Sequence, residues 1–148
     1  MSTIHNIPFD QIETGMQRQY SKTLTERDLQ LFAETSGDRN PVHLDAAYAA
    51  TTAFGERIAH GMWSGALISA AIATTLPGPG SVYRSQTLKF SKPVKLGDTI
   101  TITLTVTDKK DRVKLVTIDC EGKNQRGETV VKGEAEVIAS ADALSFEV

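Results

Sequence analysis

Gly61-Met-Trp-Ser-Gly-Ala-Leu-Ile-Ser-Ala-Ala-Ile-Ala-Thr-Thr-Leu76 carries no charged residue. A helix without a charged face is buried on most of its sides. At 1.5 Å rise per residue the run makes a rod of about 24 Å. It is too short and too interrupted for a membrane span, and Pro77-Gly-Pro-Gly80 stops it abruptly. Something in the rest of the chain must therefore wrap an apolar rod.

The residues downstream supply it. From Thr99 to Thr107 the chain alternates, with Ile100, Ile102, Leu104 and Val106 on one face and threonines on the other. That is the period of a half-buried strand. Val82 to Phe90, Val113 to Cys120 and Thr129 to Ile138 read as three more strands, and Gln17 to Leu24 as a fifth. Lys109-Lys-Asp-Arg112 and Asn124-Gln-Arg-Gly127 are polar hairpin connections. Short turns between consecutive strands imply antiparallel pairing. The expected architecture is α+β, a curved antiparallel sheet around a central buried helix, the hot-dog arrangement.

Upstream, Thr25-Glu-Arg-Asp28 is a capping box with Asp in place of Glu, so a helix starts there. Gly37 suits its left-handed C-terminal residue. Asp38-Arg-Asn-Pro41 reads as a turn, because the residue before proline avoids the helical region. Asp45 caps a short second helix from Ala46 to about Thr51.

The length of 148 residues fits one domain over 1–148. Hydrophobic residues are 40% and charged residues 23%, with a formal charge of -2. This balance argues against a general nucleic-acid or membrane-surface binder. A single cysteine, Cys120, excludes an internal disulfide and a thiolate metal cluster. The N-terminus has no basic segment leading into an apolar one, as a signal peptide would, so a cytoplasmic location is expected.

Three histidines make the catalytic inventory small. Ser36-Gly-Asp-Arg-Asn-Pro-Val-His43 places a carboxylate and an imidazole five residues apart across a proline turn. Such a pair can share one water, one group taking a proton while the other returns one. Alternatively, Asp38 closes an Asx turn and His43 is structural. Gly61 opens the apolar helix, where unpaired backbone N–H groups are donors that could stabilise an enolate or thioester oxyanion. Close packing would also call for a glycine there, and His60 before it reads as structural. Gly61, Gly65 and Ser69 form one stripe of small residues, which leaves either a slot for an acyl chain or a tight packing face. Cys120 reads as a buried, inert thiol. Arg84, Lys89, Lys92 and Lys95 cluster near one strand end, as a phosphate contact or a solvated edge. The histidines lack metal-ligand spacing.

Ser36-Gly-Asp-Arg-Asn-Pro-Val-His43, Ala49, Ala59-His-Gly-Met62, Leu76-Pro-Gly-Pro-Gly80 and Lys92-Pro-Val-Lys-Leu-Gly-Asp98 together resemble the MaoC-like dehydratase family. More narrowly they resemble its (R)-specific enoyl-CoA hydratases linked to polyhydroxyalkanoate synthesis. The likeness runs from Asn6 to about Ile138, with Phe32 where the broad motif often has tyrosine. The resemblance implies a homodimer of hot-dog subunits acting on trans-2-enoyl-CoA in fatty-acid metabolism. It implies that Asp38 and His43 hold the catalytic water and that the Gly61 N–H holds the thioester oxygen. Gly65, Ser69 and Ile72 then line the substrate pocket. No metal or redox cofactor is expected, since coenzyme A is part of the substrate. The rival readings are a dehydratase acting on acyl carrier protein, a hot-dog acyl-CoA thioesterase and a non-catalytic acyl-CoA binding module.

Overall fold

The computed structural model describes residues 1–148. Strand β2 (Gln17–Thr23) leads into helix α1 (Glu26–Ser36). The Thr25–Asp28 capping box is formed in both directions, and Gly37 ends the helix at φ 81°. Two short helices follow, α2 (Pro41–Leu44) and α3 (Ala46–Ala50), and then the long helix α4 (Gly61–Thr74). Strands β3 (Val82–Gln86), β4 (Lys89–Phe90), β5 (Thr99–Lys110), β6 (Leu115–Lys123) and β7 (Thr129–Ile138) complete the main sheet.

That sheet runs β2-β5-β6-β7-β3, antiparallel throughout, with β4 also on β7. Its concave face is the alternating one: Ile100, Ile102, Leu104 and Val106 of β5 meet Val116, Ile118 and Cys120 of β6, and Ala135 and Val137 of β7. Trp63, Leu67, Ile68, Ala71 and Ile72 of α4 fill the curve and join one core of 24 buried residues. This is a hot-dog fold. Burying a large aliphatic side chain contributes about 1.5–3 kcal/mol, so the inward faces of β5 and α4 carry much of the stability. Cys120 is inside this core, and burial pushes its thiol up to about 12. No helix is long and apolar enough to cross a membrane.

Helix α4 is the central helix expected, with Met62, 56% exposed, and Gly61, Ala66 and Ala73 on its outward side. Several other expectations need correction. The strand expected over Val82–Phe90 is two strands. The Thr87 carbonyl sits so close over Gly133 that any side chain there would collide with it. Thr87 N–H donates to the Glu134 carbonyl and its Oγ1 accepts from Glu134 N–H, both at 2.9 Å. The break turns Leu88 inward onto α4. The β5–β6 turn falls at 111–114, later than expected, with Lys114 at φ 55°. Finally, β1 (Thr3–His5) pairs antiparallel with β8 (Ser145–Glu147) and fastens the two chain ends together.

Candidate active site

The Ser36–His43 stretch is organised by its own polar side chains. Ser36 Oγ donates to the Phe32 carbonyl at 2.6 Å and accepts from the Asp38 N–H at 3.1 Å. Asp38 Oδ1 accepts from the Asn40 N–H at 3.1 Å, so the Asx turn forms. Asn40 caps α2 through the Val42 N–H at 3.2 Å, with Pro41 in the first helical position. The one-turn helix points His43 inward, where it is 7% exposed, while Asp38 stays exposed.

A backbone contact orients the imidazole. His43 Nδ1 lies 2.8 Å from the Ile58 carbonyl. A carbonyl only accepts, so Nδ1 carries the proton of the neutral ring and Nε2 keeps its lone pair. Burial pushes the His43 pKa below the usual histidine value. The Ile58 bond opposes the shift, neighbouring His60 adds to it, and the Asp38 charge opposes it. The net result is a neutral imidazole near neutral pH, the form a general base requires.

One Asp38 carboxylate oxygen and one ring nitrogen from each of His43 and His60 lie within 4.8 Å of one another. A water with two hydrogen bonds of about 2.8 Å spans about 4.5 Å at a tetrahedral angle, so the pair has room for one shared water. The same trio has the donor spacing of a metal site, and its two imidazoles are stacked, with centroids 3.9 Å apart and planes 28° apart.

His43, Ile58, Gly61, Ser64, Phe90 and Val130 help line an open cavity of ≈ 250 Å³. Gly61 is the first residue of α4, and the segment leading to it is pinned by the Ala59 N–H donating to the Val94 carbonyl at 2.8 Å. A basic recess of Lys92, Lys95 and Arg126 with Glu128 shares Lys92 and Pro93 with the cavity wall. Lys95 is paired with Glu56, and Arg126 with Asp98 and Glu128, which leaves Lys92 as the cation without an ion-pair partner.

The other sequence-derived positions fall apart from this cavity. Beside Gly65, a Leu88 methyl stands 3.1 Å and Met62 Cε 3.3 Å from where a Cβ would be. The small-residue stripe is therefore filled there by side chains of this chain and is not an open slot along its length. Ser69 is half-buried and Ile72 is in the core, 2% exposed. Sequence reasoning missed the place of His60, which packs against His43 and Phe32 and hydrogen-bonds Asp38. The signal available was its position directly before Gly61.

Residues 9–141 match the profile of the MaoC like domain. The chain belongs to the MaoC-like family. An (R)-specific enoyl-CoA hydratase of Rhodospirillum rubrum is 46% identical over 133 residues, 90% of this chain and 92% of that one. The unliganded R-hydratase PhaJ1 from Pseudomonas aeruginosa is 57% identical, with a TM-score of 0.96 over 99% of this chain and 94% of that one. An (R)-hydratase from Aeromonas caviae, described as involved in PHA biosynthesis, is 39% identical with a TM-score of 0.84, covering 86% and 97%. These similarities match the family resemblance carried by the Ser36–His43 motif.

Proposed function

We propose that this protein is an (R)-specific enoyl-CoA hydratase, a hydro-lyase that adds water to trans-2-enoyl-CoA to give (R)-3-hydroxyacyl-CoA. One observation carries the reading: a buried imidazole with a free Nε2 lies within one water's reach of the Asp38 carboxylate, beside a cavity that Gly61 also lines. Relatives bearing that activity support it.

The chemistry follows from the two groups. Asp38 accepts a hydrogen bond from one O–H of the water, which stays on the oxygen, and fixes its direction. His43 Nε2 takes the other proton as the water oxygen bonds to C3. The C2=C3 electrons move towards the thioester, whose oxygen takes up negative charge and is met by the Gly61 N–H. The imidazolium then returns its proton to C2, and the thioester re-forms. Water has been added and no electrons have left, so the reaction needs no redox cofactor. Lys92, on the wall shared with the basic recess, gives the coenzyme A phosphates a cation outside the cavity.

We place the substrate among short- to medium-chain enoyl-CoAs, drawn from β-oxidation towards polyhydroxyalkanoate precursors in the cytoplasm. Support comes from the relative described as involved in PHA biosynthesis. We also propose a homodimer. Edge strand β3 exposes Val82 and Tyr83, Phe90 of β4 is 48% exposed, and α4 shows the uncharged Met62 and Ala66. Unpaired edges and apolar patches of this kind are normally covered. Light scattering checks the mass, and a monomer at micromolar concentration refutes the dimer.

Incubation with crotonyl-CoA tests the activity. The conjugated-enoyl absorbance should fall, and the product should be oxidised by an (R)-specific but not an (S)-specific 3-hydroxyacyl-CoA dehydrogenase. Product of (S) configuration, or inertness towards every enoyl-CoA from four to eight carbons, overturns the proposal.

A further inference from the structure

His60 lies where three parts of the site join. Its Nε2 is 3.0 Å from the Asp38 carbonyl oxygen, and this is the hydrogen bond that carbonyl receives. Its ring stacks on His43 at 3.9 Å and tilts against Phe32 at 5.0 Å, 48° between planes. Its backbone is the N-cap of α4, directly before Gly61. The ring is 2% exposed, and its Nδ1 is buried with no partner.

These facts fix its chemical form. A carbonyl accepts only, so Nε2 carries the proton. The ring is thus an Nε2–H donor wedged between Phe32 and His43. Asp38 needs such a tether. It is exposed, and its carboxylate has one bond within the chain, to the Asn40 N–H. The turn alone leaves the carboxylate unregistered against His43, whereas His60 holds the backbone of one while packing on the ring of the other.

We infer that His60 is a positioning residue that sets the Asp38 carboxylate at the distance from His43 at which one water is held by both. The inference rests on the hydratase reading. It acts through Asp38, so it makes a prediction that a purely structural role does not.

A double-mutant cycle tests it, with crotonyl-CoA hydration by the purified protein as readout. His60→Phe keeps a ring between Phe32 and His43 and removes the donor. His60→Gln keeps an amide N–H near the Nε2 position. His60→Phe should lower kcat by about 30-fold or more with KM changed less than about threefold. His60→Gln should recover at least about tenfold of that loss. In an Asp38→Asn background, where the carboxylate is already gone, His60→Phe should cost less than about threefold further. An equal factor in both backgrounds, or unchanged kcat in His60→Phe, overturns the inference. If His60→Phe does not fold, as judged by melting, His60→Gln decides alone: kcat within about tenfold of wild type supports the donor role, and a larger loss overturns it. Wild-type turnover in the same assay reports on the hydratase reading separately.

Discussion

Replacing Asp38 with asparagine separates charge from shape. The Oδ1 that accepts from the Asn40 N–H at 3.1 Å is retained. The backbone bonds to Ser36 Oγ and His60 Nε2 do not involve the carboxylate at all. The second oxygen becomes an NH2 donor, so the water loses an acceptor and the imidazolium loses its counter-charge. A positioned acid–base group contributes about 10²–10⁴-fold, which at about 1.36 kcal/mol per tenfold is about 2.7–5.4 kcal/mol of barrier. Asp38 is exposed and its turn survives, so stability should change by less than about 0.5 kcal/mol and Tm by less than about 2 °C. The assay is kcat/KM for crotonyl-CoA beside a thermal melt. Activity within tenfold of wild type in a folded Asp38→Asn variant would refute the dyad. Equal loss of activity and of fold would refute the separation of roles.

The acid limb of kcat/KM should lie below the usual histidine value of about 6.5, because burial lowers the His43 pKa and the base works only while neutral; a limb at or above that value contradicts either the burial of the ring or its role as the base. The same shift has a stability sign: folded His43 binds its proton more weakly than the unfolded chain does, so its contribution is complete above about pH 6.5 and lost as pH falls through the folded pKa, which melts recorded with and without His43→Asn resolve. In Gly61→Ala the added methyl meets the Phe90 ring at 3.6 Å, an ordinary contact, so the protein should fold; crowding at the oxyanion donor should cost about 100-fold in kcat, and retention within threefold removes Gly61 from the chemistry. Ser69 lies apart from the cavity, so Ser69→Leu should change kcat/KM for four- and eight-carbon enoyl-CoAs by the same factor within about threefold; a selective loss on the eight-carbon substrate of about tenfold would put Ser69 in the acyl pocket after all.

Local rules were legible in the sequence where one residue type does one job. Thr25 and Asp28 mark the start of α1 because each satisfies an orphan N–H, and the alternation of β5 is the burial pattern itself. Asp45 likewise caps α3 through the Tyr48 N–H. The elements that escaped depend on distant partners. The β1–β8 clasp joins three-residue segments from opposite chain ends, too short to show a period. The break between β3 and β4 is set by Gly133 on another strand. Asn-Pro signals a turn, yet Asn40 also caps one helical turn, and that turn is what sends His43 inward.

The site divides in the same way. Asp38, His43 and Gly61 lie in short motifs whose residue types admit acid–base and oxyanion chemistry but also an Asx turn and a packing glycine, and the family resemblance is what chooses between them. His60 sits in one of those motifs, yet its bond to the Asp38 carbonyl spans 22 residues and leaves no local trace. The stripe of Gly61, Gly65 and Ser69 reads as a slot or as a packing face, and Leu88 placed against Gly65 makes it a packing face there.

Hydration of crotonyl-CoA in H2¹⁸O tests the central claim most directly. In the proposed mechanism Asp38 and His43 deliver water oxygen to C3. The product should be (R)-3-hydroxybutyryl-CoA with one ¹⁸O in the hydroxyl group and the thioester intact. Label in a free carboxylate, together with released coenzyme A thiol, would show attack at the thioester carbonyl and contradict the account.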